Sequence, residues 1–538
     1  MIKNESILTT AALQVGLIDV DTLNDLRPQA RRERRSVLEL LMRHYRFPES
    51  AFYQALAQQY ELPYIHADQL DASAAPLARL SVNLLLRKEV LPVHLDGQLY
   101  LAMQDPHDRV VLDLVQRALG EKVLPAVAEP DALKYALASM HATAEEDEFD
   151  AVLALDGLMK QSYVRRASDI HIEPGHDFTR VRMRVDGMMQ TLGMRLTLAE
   201  TEALVNRIKV LSDMDISEQR LPQDGGLTYR VQDWDLPEMD IRVASIPTRW
   251  GERITMRILG AIEDALQLDQ LGMPQQVVGR LKEVLQLPHG MLLVTGPTGS
   301  GKSTTLYACI RAMNANEKNI LTVEDPVEQN LPGISQVQMT SKVNFSSALR
   351  SFLRHDPDVI LVGEVRDLET AETALKASMT GHLVLSTLHT NNAISAVSRL
   401  VNLGCDRYLV GTTVVGIMAQ RLVCRLCDHC KQPYEADESE RALLGMDAED
   451  GPVTLYKATG CPVCNGTGCQ GRVGLYEALW VDHRVSDAIV GEVAEHQLRE
   501  SENFFSLWDS ARQRILDGEV SLEDVHHYHI DYGAETDG

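Results

Sequence analysis

The sequence predicts a multidomain α/β protein built around a parallel sheet, and three observations predict it. At 538 residues the chain exceeds what one hydrophobic core holds, and ordinary domain sizes imply about three or four domains. Four short apolar runs, "GMLLVTG", "NILTVEDP", "DVILVGE" and "GHLVLSTLH", are separated by helix-length segments, the pattern of parallel strands covered on both faces. The first run leads into "GPTGSGKST", a glycine-rich turn between strand and helix that offers backbone N–H groups to an anion.

Residues 1–140 read as a mainly helical block followed by a small mixed one. "VLELLMRHYRFPESAFYQALAQQYELPYI" has helical spacing broken at Pro48, and "VLPVHLDGQLYLAMQDP" reads as a hairpin around Asp96-Gly97. The arginine-rich "RPQARRERRS" is read as a solvated helix face, with a docking patch as the alternative. "HATAEEDEFDA" is acidic and aperiodic, which places a linker at 141–150. A helix over "VLALDGLMKQSYVRRA", strand-like alternation in "DIHIEP" and "TRVRMRVDG", the helical "ETEALVNRIKVLSDM" and the strand "MDIRVASIPT" make 151–260 a smaller α/β domain. The strand–loop–helix repeat fills 261–423, a cysteine-rich module 424–476, and a helical region 477–538.

The net charge of -25 argues against nucleic acid as a partner, since such proteins usually carry a basic field. The sequence has no apolar run near the ~20 residues that span a bilayer, and "MIKNESILTTAALQVGLIDV" makes a poor signal peptide. A cytoplasmic location is therefore expected, with the eight cysteines as thiols or metal ligands rather than disulfides.

"GPTGSGKS", Gly296 to Ser303, fits G-x-x-x-x-G-K-[ST]. Gly296, Gly299 and Gly301 let the backbone curl around an anion, with Thr298, Ser300 and Thr304 in the same cradle. Lys302 then bridges the β- and γ-phosphates of ATP and Ser303 holds Mg²⁺. Ligands of such sheets lie beyond the carboxyl ends of the strands, where this chain places Glu324, Glu364 and His389. His382 and His389 are separated by a seven-residue strand of roughly 23 Å, so one phosphate cannot meet both. The carboxyl-end rule selects His389 and leaves His382 a structural or interface role.

Six cysteines fall in "CRLCDHC" and "GCPVCNGTGC". Paired CxxC knuckles are suited to tetrahedral Zn²⁺, and by spacing Cys424-x-x-Cys427 serves as well as Cys427-x-x-Cys430, opposite Cys461-x-x-Cys464. The segment between the knuckles is short and polar, so metal is expected to supply the stability it lacks. Cys309 and Cys405 are read as small core residues.

Together "GPTGSGKSTTLY", "TVEDPVE", "DPDVILVGEVRDLETAETALKASMTGHLVLSTLHTN" and "MAQRLVCRLCDHCK" resemble the secretion ATPase superfamily, specifically the assembly ATPases of type II secretion and type IV pili. The resemblance spans about residues 150–480 and implies a RecA-like P-loop ATPase domain, a zinc-knuckle module and a hexameric motor that assembles pilin-like subunits. It assigns the Walker A box to "GPTGSGKS", the Asp box to "TVEDPVE", the Walker B box to "VILVGEVRD" and the His box to "GHLVLSTLH". It implies that Glu364 orients Mg²⁺ and the water around it, that Glu324 polarises the attacking water, and that zinc sits on Cys427, Cys430, Cys461 and Cys464. Arginine fingers arriving from a neighbouring subunit are implied at Arg207, Arg220 and Arg242. Where the family usually reads "QDGR", this chain has Gly226, so the role of that arginine is either absent here or supplied from nearby, for example by Arg230.

The partners implied are a homo-hexamer, the cytoplasmic domain of an inner-membrane protein docked on residues 1–140, and an inner-membrane platform protein. "LQVGLIDVDTL" resembles a pattern of domains that bind cyclic di-GMP in some relatives, but their arginine-leucine-glycine start is missing, so docking is the expectation. The competing readings are a retraction or conjugation ATPase of the same superfamily, and a nucleotide-gated scaffold with little turnover.

Overall fold

The computed structural model describes residues 5–66, 69–70, 80, 82–95, 97–138, 149–231, 234, 238–259, 266–313, 317–446, 451–464 and 466–529. All but the last two residues of the expected linker at 141–150 lie outside these, as do Asp96 and the expected boundary at 260–261. Two compact units result, residues 1–261 with 460–467 and residues 262–459 with 468–538.

The first unit opens on the helices Glu5–Gln14, Val20–Glu33, Val37–Tyr45 and Glu49–Gln59. Asp19 caps the second by accepting the Thr22 N–H at 2.6 Å and Ser36 caps the third through the Glu39 N–H at 2.9 Å, each satisfying a first-turn donor. Arg27, Arg31, Arg32 and Arg34 are exposed. Strand Leu91–Leu95 then pairs antiparallel with Gln98–Met103, forming the expected hairpin, and Leu124–Val127 joins in parallel.

Further along the same unit, helices Ala151–Arg165 and Leu198–Leu211 accompany a six-stranded antiparallel sheet. Its order is Met188–Leu196, Thr179–Val185, Ala167–Pro174, Gly251–Ile258, Met239–Thr248 and Gln223–Tyr229. Period-two alternation decides its faces: Ile170, Ile172, Val181, Met183, Ile254 and Met256 are fully buried in one core, while Asp169, Glu173, Arg182 and Arg257 meet on the other face.

The second unit holds an eight-stranded sheet in the order Ser335–Gln338, Ile320–Glu324, Val359–Val362, Leu383–Leu388, Gly290–Thr295, Val414–Leu426, Cys469–Trp480 and Phe504–Phe505. The first six are mutually parallel, the four predicted apolar runs among them, and each of the last two pairs antiparallel with the strand before it. Apolar side chains fill both faces: Leu293, Val323 and Val362 enter one core, Leu292, Val294 and Leu361 the other.

Three features differ from the expectations. Strands Val414–Leu426 and Cys469–Trp480 run straight through positions 423/424 and 476/477, so the cysteine segment is an insertion between two strands of this sheet. That insertion is also less bare than its polarity implies. It forms a hairpin of Gln432–Glu435 with Thr454–Lys457, and Ala436, Leu444 and Leu455 share a core with Leu475, Leu507, Ala511 and Ile515, so helix Leu507–Leu516 supplies the apolar partner. Finally, Cys424 and Cys469 form a disulfide, against the expectation of thiols or metal ligands throughout, because the antiparallel ladder brings the two side by side.

Candidate nucleotide site and cysteine cluster

Strand Gly290–Thr295 is buried at every residue and delivers the chain into the glycine turn. Gly296, Gly299 and Gly301 have φ of 142°, 80° and 89°, conformations that disfavour any side chain. At two of the three, space forbids one as well: a Cβ at Gly296 would lie 2.5 Å from the Gln420 carbonyl and 2.6 Å from Ser300 Oγ, and one at Gly301 2.6 Å from Gln420 Nε2, whereas at Gly299 only the backbone conformation disfavours it. Gln420, 2% exposed and accepting a 2.7 Å bond from Thr305 Oγ1, is thus the floor of the turn.

Helix Lys302–Ala312 begins on Gly301 without a side-chain cap, so its first-turn N–H groups remain available to an anion. Ser300 Oγ is buried without a partner, while Thr298 is exposed and Ser303 and Thr304 half-buried. Uncapped N–H groups, an orphaned hydroxyl and a cradle with no room for Cβ fit a polyphosphate. Lys302 Nζ donates to the Gly296 and Pro297 carbonyls at 2.9 and 3.0 Å. Burial lowers its pKa; the Glu364 charge opposes that shift and the Arg421 charge adds to it.

Parallel register brings the predicted strand-end residues together, with Val323 beside Val362 and Val362 beside Ser386. Glu324 is 5% exposed. Its carboxylate accepts from the Tyr307 hydroxyl, from Thr322 Oγ1 at 2.5 Å and from Gln336 Nε2 at 3.1 Å. Glu364, half-buried, pairs with Arg366 and with His389 Nε2 at 3.2 Å, and Arg366 also reaches Asp325 at 3.7 Å. Gly363 stands between these carboxylates, where a Cβ would meet Glu324 Cα and the Val323 carbonyl, each at 3.3 Å. That crowding is a physical reason for glycine where other nucleotide-binding strands carry aspartate.

The segment after His389 is tied to its surroundings. Thr295 Oγ1 donates to the Leu388 carbonyl at 2.9 Å and lies 2.7 Å from the Thr390 hydroxyl. Arg421 donates to the Asn391 carbonyl at 2.6 Å, and Glu477 accepts the Ala393 N–H at 2.6 Å. His382, before the strand, has Nδ1 2.9 Å from the Ala377 carbonyl, at the opposite end from His389.

The Sγ atoms of Cys427, Cys430, Cys461 and Cys464 lie within 4.8 Å of one another. Those of Cys461 and Cys464 are 3.7 Å apart, close to the roughly 3.8 Å edge of a tetrahedron with Zn–S bonds near 2.3 Å. Cys464 Sγ also accepts the Cys461 N–H at 3.1 Å. An all-thiolate donor set at this spacing fits zinc in a structural role.

Residues 144–527 match the family described as Type II/IV secretion system protein, and residues 60–147 the MshEN domain. This chain belongs to the type II/IV secretion system protein family. Among secretion-family relatives, it is 40% identical to Type II secretion system protein E of Pseudomonas aeruginosa, over 84% of this chain and 97% of that one. It is 36% identical to the Type IV pilus assembly ATPase PilB of Myxococcus xanthus, over 95% and 96% respectively. Its fold is shared with the X-ray structure of the ATPase DotB of Legionella pneumophila, with a TM-score of 0.53 and 22% identity over 73% of this chain and 98% of that one.

The three candidate arginines of this secretion-family chain all lie in the first unit. Arg207 is half-buried on helix Leu198–Leu211 with its Nε lacking a hydrogen-bond partner. Arg220 is exposed in a turn closed by its own N–H on Glu218 at 2.7 Å. Arg242 is half-buried on strand Met239–Thr248 and directly opposite Gly226, while Arg230 is exposed. Sequence reasoning missed Tyr307, Gln336, Arg366, Gln420 and Arg421. "MAQR" is the one signal that could have found the last two, because its Gln-Arg pair interrupts an apolar strand leading to the knuckles.

Proposed function

We propose that this chain is the Mg²⁺-dependent ATP hydrolase of a type II secretion or type IV pilus assembly machine, working as a homo-hexamer. One observation carries the reading: the glycine cradle stands beside strand ends that bear Glu324, Glu364 and His389, in a family member whose near-full-length relatives are named secretion protein E and pilus assembly ATPase. Lys302 and the N–H groups from Gly299 to Thr304 bind and orient the phosphates. Ser303 and Glu364 are placed to hold Mg²⁺, which when bound offsets charge on the phosphates.

Glu324 accepts the proton of the attacking water, held in place by Tyr307, Thr322 and Gln336. His389, bonded to Glu364, senses the γ-phosphate. Arg207, Arg220 and Arg242 are the candidates to complete a neighbouring subunit's site on closure, coupling hydrolysis to domain motion. Zinc on the four thiolates stabilises the insertion. The MshEN-matching region and the helices before it dock on the cytoplasmic domain of an inner-membrane protein, and the hexamer acts on the membrane platform. Among the described residues, no helix is long and apolar enough to cross a membrane, which agrees with attachment through partners.

Nucleotide affinity and turnover measured on three variants test this. Lys302→Ala should lose ATP binding, Glu364→Gln should weaken Mg²⁺-nucleotide binding, and Glu324→Gln should bind ATP normally while turnover falls about 10²-fold or more. Absence of turnover in the wild-type hexamer supplied with its membrane partner would sink the motor reading.

A further inference from the structure

The one disulfide among the described residues lies on the strand pair that backs the phosphate turn. Strand Val414–Leu426 carries Gln420 and Leu422, both of which would meet a Cβ at Gly301, and Arg421, which anchors Asn391. Four residues beyond Gln420, Cys424 is bonded to Cys469 across a sequence separation of 45, with Cα atoms 5.7 Å apart, an ordinary disulfide span. The ladder of this strand pair is regular from Gly416 opposite Trp480 to Cys424 opposite Arg472, then slips, so that Leu426 faces Cys469. The bond therefore spans the irregular rung of the ladder. Both cysteines are half-buried, beside the exposed Arg425 and Arg472.

We propose that Cys424 and Cys469 form a reversible thiol–disulfide site that fixes the register of the strand pair beneath the phosphate turn. Side chains alternate faces along a strand, so a one-residue slip would carry Gln420 away from Gly296 and Gly301. Past the bulge, backbone pairing and the buried Leu426 side chain resist that slip when the bond is open; the closed bond forbids it.

The reductant is a thiol such as glutathione, consumed two per bond. Its thiolate attacks one protein sulfur, the S–S bond breaks to a mixed disulfide and one cysteine thiolate, and a second donor thiol then displaces the remaining cysteine. Two protein thiols and an oxidised donor result, two electrons having passed to the protein. The reverse reaction uses a small disulfide such as oxidised glutathione. The four-thiolate cluster is a separate group, gathered without either of these cysteines. The inference goes beyond the ATPase reading, because thiol state and melting are measured without turnover.

The test uses the full-length, zinc-loaded chain equilibrated in glutathione buffers from reducing to oxidising. Alkylated thiols are mapped by mass spectrometry, zinc release is followed with a chromogenic chelator, and melting and ADP affinity are measured in each buffer. Oxidation should protect Cys424 and Cys469 with zinc retained, raise the melting temperature and tighten ADP binding about threefold or more. Cys424→Ser and Cys469→Ser should stay at the reduced wild-type values in every buffer, with reduced wild type as the reference should either variant fold poorly.

Either cysteine remaining alkylatable in oxidising buffer overturns the proposal. So does an oxidation effect that persists in Cys424→Ser, or protection of the pair that leaves both melting and ADP affinity unmoved. No ADP binding in any buffer would refute the ATPase reading instead, with thiol mapping and melting still deciding this one.

Discussion

Tyr307→Phe removes a single oxygen from the network around Glu324. Tyr307 is 2% exposed. Its hydroxyl donates to Glu324 and accepts the Glu328 N–H at 3.1 Å, so phenylalanine keeps the packing while two polar groups lose a partner. A hydrogen bond to a charged group contributes about 1.5–3 kcal/mol and a neutral one about 1. Relief from burying the hydroxyl offsets about 1–2 kcal/mol. The expected net loss is about 2 kcal/mol, or about 4–8 °C of melting temperature for a unit of this size. Thermal melts should be paired with ADP affinity and steady-state turnover. If Tyr307 orients the carboxylate, affinity stays within about twofold while turnover falls about tenfold, a cost of about 1.4 kcal/mol in the barrier. Unchanged melting and turnover would refute the reasoning. Equal losses in affinity and turnover would show that Tyr307 supports the phosphate turn rather than Glu324.

Adjacent glycines should respond unequally. A Cβ at Gly225 would collide with the Ser212 carbonyl, whereas at Gly226 the nearest atom is 3.7 Å away, so Gly225→Ala should cost about 1–3 kcal/mol in denaturant titrations and Gly226→Arg should cost about 0.5 or less. Metal analysis should find about one zinc per chain, lost in Cys430→Ser and Cys461→Ser, and chelation should lower the melting temperature of wild type. An acid limb should come from Glu173 and Asp169. Burial raises both pKa values, but the stronger combined pull of Arg182, Arg253 and Arg180 on Glu173, and of Arg257 and Ser168 on Asp169, holds both below the usual carboxylate range. Their contribution is complete above about pH 5, where unfolded carboxylates are ionised, and is lost as pH falls through the lower folded values. Urea titrations from about pH 6 to 3 should show this loss, and Glu173→Gln should flatten it.

The parallel strands were legible because burial on both faces leaves near-continuous apolar runs, and the phosphate turn because three glycines and a lysine sit between a strand and a helix. Convergence of Glu324, Glu364 and His389 followed from the carboxyl-end rule. Their partners did not follow: Tyr307 lies in a helix where an aromatic reads as core, and its hydroxyl finds Glu324 only in three dimensions. Gln420 and Arg421 were hidden because the strand bearing them pairs in parallel on one edge and antiparallel on the other, which blurs its pattern. The same ladder joined Cys424 to Cys469, a pairing that CxxC spacing cannot reveal.

The segment from His389 to Ala393 is riveted at successive residues to the phosphate strand, to Arg421 and to Glu477. A flap moves because few bonds hold it; this segment is a bracket. A push at His389 would pass into three adjacent strands at once, Gly290–Thr295, Val414–Leu426 and Cys469–Trp480, and into the helix that starts at Ala393, so on the proposed ATPase reading nucleotide state would be transmitted as rotation of a rigid body rather than as the opening of a loop.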